Sequence, residues 1–152
     1  MIKRSFIIGI KSTSLSQREK KFLQNYKPWG VILFSRNIKS VKQTKKLTDN
    51  IKRIFKDKKY PILIDQEGGR VNRLSKITNV DIYTGEFFGE LFLKDKKNFD
   101  YHYKIFIKQT SHLLKSIGVN INTLPVLDLR SKGASNIIGD RSFSNNAKIV
   151  SL

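Results

Sequence analysis

The chain has 152 residues, 39% of them apolar, a formal net charge of +18 and no cysteine. Its length suits one ordinary domain. The absence of thiols excludes disulfides and thiolate metal sites and favours a reducing compartment, and no apolar stretch reaches the ~20 residues that a membrane-spanning helix needs.

In chain order, "RSFIIGI" reads as a buried first strand. The fuller "MIKRSFIIGI" has the basic start and short apolar run of a signal peptide. However, Gly9 interrupts the run, Lys11 follows it and no small-residue cleavage site comes after. "SLSQREKKFLQNY" has a serine cap and apolar residues at helical spacing, and Pro28 ends it. "WGVILF" is a second apolar strand. "SVKQTKKLTDNIKRIF" sets Val41, Leu47, Ile51 and Ile54 near one helical face. "YPILI" is a third strand. An irregular stretch runs from Gly68 to about Lys97, with a short helix in "TGEFFGELFL". "FDYHYKIFIKQTSHLLKSIG" is a long helix that stops at Gly118. "VNINTLPVLDL" is a fourth strand or a strand with a loop, "RSKGASNIIGDRSFSNN" is a polar loop, and "NAKIVSL" opens another helix.

Apolar strands alternating with amphipathic helices predict a parallel sheet covered by helices. A dinucleotide-binding sheet would carry G-x-G-x-x-G after its first strand, and "GIKSTSLS" does not match it. A flavodoxin-like sheet would close more tidily. A (β/α)₈ barrel places its working residues at the C-terminal ends of strands. The polar clusters fall at those ends: Ser35-Arg36-Asn37 after the second strand, Asp65-Gln66-Glu67 after the third and Asp128 after the fourth.

The charge alone invites a nucleic-acid partner. Most of the cations, however, are lysines spread over helical segments, where the stem covers apolar surface and the head stays in water. The arginines are more informative. Arg36, Arg70, Arg73, Arg130 and Arg141 each fall after a predicted strand, where a planar fork of donors serves geometry.

In "PILIDQEGGRVNRL", Asp65 stands at the mouth of a buried strand, where an ionised carboxylate needs partners. Arg70, Arg73 or the hydroxyls of a sugar could supply them. Gly68 and Gly69 allow a sharp turn and close approach to a ligand. Glu67 and Arg70 are expected to pair and hold the loop together with Gln66. Asp65, Arg73 and Arg141 are assigned to ligand contact, because a carboxylate and two guanidinium forks can fix several hydroxyls of one ring. His102 and His112 lack metal-ligand spacing and are read as surface or core-edge residues, and Trp29 is read as packing. No Ser/His/Asp arrangement, P-loop or zinc spacing is present.

The stretches "GVILFSRNI", "LIDQEGGRVNRL", "GVNINTLPVLDL" and "IGDRSFSNN", in that order, resemble glycoside hydrolase family 3, and within it the bacterial β-N-acetylhexosaminidases of cell-wall recycling. The resemblance runs from about Trp29 onward. It implies that residues 1–152 form the N-terminal half of a TIM-type (β/α)₈ barrel, about four βα units. It also implies hydrolysis of a terminal β-linked N-acetylglucosamine with retention of configuration, without metal or organic cofactor. Asp65, Arg73 and Arg141 would hold the hydroxyls of the sugar. Gln66, Glu67, Gly68, Gly69, Arg70, Asp128 and Asp140 would shape the loops beneath. The family's Lys-His pair, mobile-loop histidine and aspartate nucleophile come later than the part matched here, so no residue is assigned as nucleophile or acid/base.

The implied partner is an amino-sugar or muropeptide-type small molecule, with neither nucleic acid nor membrane, and the implied compartment is the cytoplasm. A half-barrel exposes strand edges and apolar surface, so a complementary half or self-association is expected. The competing readings are a β-glucosidase-type member of the family, a non-catalytic sugar-binding half-barrel and a basic nucleic-acid-binding domain.

Overall fold

The computed structural model describes residues 4–133 and 135–151. Residues 1–3, the basic start of the first apolar run, lie outside the described residues. So do Ala134 in the polar loop and Leu152 at the end of the last helical segment.

The elements follow as β1 (Arg4–Gly9), α1 (Gln17–Tyr26), β2 (Pro28–Leu33), α2 (Val41–Phe55), β3 (Ile62–Ile64), α3 (Gly85–Lys94), α4 (Lys96–Ser116), β4 (Ile121–Asn122) and α5 (Ala147–Val150). Short 3₁₀ turns occupy Ser35–Asn37 and Gly139–Arg141. Each α-helix begins where a side-chain oxygen accepts an N–H that the first turn leaves free: Ser16, Ser40, Thr84, Asp95 and Asn146. Helices α1 and α2 end on Lys27 and Lys56 in the left-handed conformation, which turns the chain back toward the sheet.

The strands form one parallel sheet in the order β1-β2-β3-β4. Ile8 sits beside Val31, Val31 beside Ile62, and Leu33 beside Ile64. These side chains share the face on which the core lies. Val31, Leu33, Ile62 and Ile64 are fully buried against Leu23, Leu47, Ile51, Leu114 and Ile117 from the helices and the α4–β4 turn. Sequential parallel strands joined by helices on one face are the architecture of the N-terminal half of a (β/α)₈ barrel. Most lysines of α2 and α4 lie on outward surfaces, with Lys42, Lys45, Lys46, Lys104, Lys108 and Lys115 exposed; Lys52 is half-buried and donates to the Gly118 carbonyl at 2.6 Å.

Several boundaries differ from the sequence reading. The irregular stretch ends at Thr84, and two helices follow that meet at Asp95, the residue that caps the second. The charged run Lys94–Lys97 hides this junction from a reading based on apolar spacing. The fourth strand is only Ile121–Asn122, and the chain from Thr123 onward is irregular. Asp128 therefore does not end a strand; it is exposed in the loop beyond. Val41 is exposed at the first position of α2 rather than part of its apolar face. Trp29 is 43% exposed near the N-terminal end of β2 rather than packed. His102 and His112 are exposed on α4.

Candidate functional site

The C-terminal ends of the four strands carry the polar clusters. Asp65 follows β3 directly. Its Oδ1 accepts the Thr123 hydroxyl at 2.6 Å, and its Oδ2 lies 3.5 Å from Arg73 Nη2. Both members of the pair are partly open to solvent, 27% for Asp65 and 28% for Arg73. This leaves carboxylate and guanidinium edges free to meet a ligand.

Gln66 sets that geometry from below. Its peptide is clasped by Asn122: the Gln66 N–H donates to Asn122 Oδ1 at 2.9 Å, and Asn122 Nδ2 donates to the Gln66 carbonyl at 3.1 Å. Its buried side chain donates to Asn72 Oδ1 and accepts the Leu74 N–H, both at 3.1 Å. The segment carrying Arg73 is thereby tied back to the strand that ends at Asp65. Buried amides that satisfy their partners in this way fix a loop, because breaking one leaves an unpaired polar group.

Residues 67–71 form a tight turn closed by Glu67 N–H to Val71 carbonyl and Val71 N–H to Gly68 carbonyl, both 3.1 Å. Gly68 and Gly69 have φ of 93° and 51°. A β-carbon on Gly68 would stand 2.2 Å from the Tyr83 carbonyl oxygen, and one on Gly69 would stand 2.7 Å from Thr84 Cγ2. The glycines make the expected sharp turn and let it pack closely against residues 83–84.

Glu67 and Arg70 do not pair with each other. The loop at residues 136–141 passes over the turn and offers each of them a better partner. Glu67 receives Arg141 Nε and Nη2 in two 2.8 Å bonds. Arg70 Nε donates to Asp140 at 3.0 Å, and its Nη2 donates to the carbonyls of Asn136, Ile137 and Ile138. A planar fork facing a carboxylate and a cluster of carbonyls satisfies more donors than a contact within one turn. The hydrogen bond to Glu67 raises the Arg141 pKa above its ordinary value. Burial opposes the shift, and the charges of Glu67, Asp128 and Asp65 add to it. Its bonds to Glu67 hold Arg141 against the segment that follows β3, two residues along the chain from Asp65. The Asp128 carbonyl also accepts the Ser142 hydroxyl at 2.7 Å. Arg130 turns outward and pairs with Glu86.

The cluster after β2 is mainly structural. Asn37 is fully buried. It donates to the Ile10 and Ser12 carbonyls at 3.0 and 2.9 Å and accepts the Phe34 N–H at 2.9 Å, locking the ends of β1 and β2 together. Arg36 Nε donates to the Ile10 carbonyl at 3.0 Å, and its guanidinium stacks 4.5 Å from the centre of the Phe34 ring.

No motif in the sequence marks Thr123, Asn122, Asn72, Gly85 or Gly89. One signal was available for the glycines. Spaced four apart in "GEFFG", they lie on one face of α3, where the loop backbone presses in. A β-carbon on Gly85 would stand 2.1 Å from the Arg141 carbonyl oxygen, and one on Gly89 would stand 1.7 Å from that of Phe143. Among the described residues no group of three or more His, Asp or Glu is placed to hold a metal ion, and no helix is long and apolar enough to cross a membrane.

A parallel half-barrel whose strand-end rim gathers Asp65, Arg73, Glu67 and Arg141 fits a class of carbohydrate-processing barrels, and the family match agrees. Residues 5–152 match the glycosyl hydrolase family 3 N-terminal domain, and the chain belongs to that family. It is 34% identical to a beta-hexosaminidase of Hydrogenovibrio crunogenus over 95% of its own length and 40% of the relative's. It is 32% identical to one from Xanthomonas campestris over 95% and 42%. NagZ from Neisseria gonorrhoeae, in a structure with N-trifluoroacetyl-D-glucosamine, superposes with a TM-score of 0.86 at 29% identity, covering 97% of this chain and 44% of that one. A family 3 beta-N-acetylglucosaminidase from a Paenibacillus species aligns with a TM-score of 0.76 at 27% identity, covering 95% and 27%. The chain spans about two fifths of the length of the curated relatives it matches.

Proposed function

We propose that this chain is the sugar-binding half of a glycosidase that releases terminal β-linked N-acetylglucosamine from cell-wall-derived sugars or glycosides with retention of configuration. One observation carries the reading. In a family 3 chain, Asp65 and Arg73 meet at 3.5 Å at the strand ends, on the rim where Glu67 fixes the fork of Arg141. Asp65 accepts from sugar hydroxyls, while Arg73 and Arg141 donate to them. Gln66, Gly68, Gly69, Arg70 and Asp140 hold the loops in place. Retaining hydrolysis divides the work between a nucleophile and an acid/base group. On this reading both lie outside residues 1–152, so the chain alone binds without turnover. The beta-hexosaminidases and the beta-N-acetylglucosaminidase among the relatives favour an amino sugar over glucose. A complementary half-barrel or a second copy covers the open face of the sheet.

The test is calorimetric titration of the chain with N-acetylglucosamine and with glucose. Binding of the amino sugar is expected, weakened about tenfold or more in Asp65→Ala, the loss typical of a charged hydrogen-bonding partner. Equal affinity in Asp65→Ala, or preference for glucose, overturns the proposal. Turnover of a chromogenic β-N-acetylglucosaminide by the chain itself would contradict the placement of the chemistry elsewhere.

A further inference from the structure

The two arginines assigned to the sugar are held by different means. Arg141 is gripped by Glu67 in two 2.8 Å hydrogen bonds. Arg73 has no such grip. Its contact with Asp65 is a single 3.5 Å approach, and its buried Nε has no hydrogen-bond partner among the described residues. Yet its side chain is only 28% exposed. The surface it rests on is the ring of Phe34, with 5.7 Å from the guanidinium carbon to the ring centre. That distance is within the range at which the negative face of an aromatic ring attracts a cation.

The ring is itself fixed. Phe34 directly follows β2, and its N–H donates to the buried Asn37 at 2.9 Å. Arg36 stacks on the same ring at 4.5 Å and is tied by Nε to the Ile10 carbonyl. Gly9, the last residue of β1, leaves the space the ring needs: a β-carbon there would stand 3.1 Å from both Phe34 Cε2 and Arg36 Nη2. One row of contacts therefore crosses all four strand ends, from Gly9 through Phe34, Arg73 and Asp65 to Thr123.

We infer that Phe34 is a positioning residue for the proposed sugar site: its ring face aligns the guanidinium of Arg73, which has no fork-to-carboxylate clamp of its own. This rests on the sugar-binding reading for its functional consequence, though not for the geometry. An aromatic platform restricts the plane of the fork without occupying any of its donors, so the Nη donors that do not face Asp65 stay available to hydroxyl groups. A second carboxylate would hold the fork as firmly but would consume those donors.

The experiment uses the whole chain and the variants Phe34→Leu, Phe34→Tyr and Arg73→Ala. Affinity for N-acetylglucosamine is read by titration, and the Arg73 Nε–H by proton–nitrogen NMR. Phe34→Leu is expected to weaken binding about three- to tenfold, the range of a partly buried cation–ring contact. Phe34→Tyr is expected to restore it, and in the Arg73→Ala background Phe34→Leu should have no further effect. The Arg73 Nε–H should be ring-shifted and slow to exchange in the parent and in Phe34→Tyr, and should lose both properties in Phe34→Leu while the backbone amide pattern is kept. An undiminished loss in the Arg73→Ala background overturns the inference, as does an Arg73 Nε–H that ignores Phe34→Leu. If no variant binds the sugar but the Nε–H responds as described, the sugar reading falls and the positioning role stands.

Discussion

Glu67 and Arg141 are 74 positions apart in the chain and face each other fork to fork, with two hydrogen bonds of 2.8 Å. Glu67 is the more buried partner, 11% exposed against 26%. Removing it leaves a half-buried guanidinium short of two acceptors. Glu67→Ala should cost about 1–3 kcal/mol of stability in urea denaturation, the size of a lost hydrogen-bonded charge partner. It should also lower sugar affinity by freeing Arg141. A variant as stable as the parent would show that the loop at residues 136–141 holds Arg141 without Glu67.

The loop that brings Arg141 to the rim is pressed against α3 at Gly85 and Gly89. At Gly89 a methyl group would lie 1.7 Å from the Phe143 carbonyl oxygen, and the obstacle is backbone. No rotamer can relieve that overlap, so the loop or the helix must move. Gly89→Ala is expected to destabilise the chain by about 1–3 kcal/mol despite the better helix propensity of alanine. It should also weaken sugar binding together with stability. A change within about 0.5 kcal/mol, as for an ordinary surface site, would mean that the loop yields easily.

What could be read in the sequence and what could not divide along physical lines. Strands β2 and β3 show as continuous apolar runs because a helix-covered parallel sheet buries them. The strand-end positions of Asp65 and Arg36 follow from those runs. Pairing across the rim does not. Glu67 and Arg70 are close in sequence and were expected to pair, but each finds its partner about 70 residues away, in a loop with no periodic signal. Thr123 and Asn122 stayed hidden because only the parallel register of β3 with β4 places them beside Asp65 and Gln66. The role of Phe34 was masked for a similar reason: in the sequence it reads as the last residue of a strand.

The start of α1 should make part of the stability dependent on pH. Burial pushes the Glu19 carboxyl upward. The bonds it accepts from the Lys11 N–H, the Ser16 hydroxyl and the Ser16 N–H, with the charge of Lys11, outweigh this and leave its pKa below the ordinary glutamate value. A carboxylate depressed in the folded state adds stability above its unfolded pKa and loses it as pH falls through the folded value. Against Glu19→Gln, the parent should be more stable near neutrality by a few tenths to about 1 kcal/mol. That margin should close as pH drops below the ordinary glutamate range. A margin unchanged across that range would show that the charge of Glu19 contributes nothing to the cap.

The face of the sheet away from the core carries the last consequence. Ile7 pairs in register with Gly30, Ile32 with Leu63, and Leu63 with Ile121, so these residues share the side opposite Val31 and Ile62. Among them Ile7 is 46% exposed, and Ile32 and Ile121 are only half-buried. Strands β1 and β4 are also the sheet's edges, each with one side unpaired by any described strand. Apolar side chains beside unpaired backbone groups favour association. The 152-residue chain should therefore rise in mean mass with concentration in sedimentation equilibrium. Ile7→Lys, which puts a charge on the exposed edge strand, should shift it toward monomer. A concentration-independent monomer with a sharp cooperative unfolding transition would show that this face is stable in water.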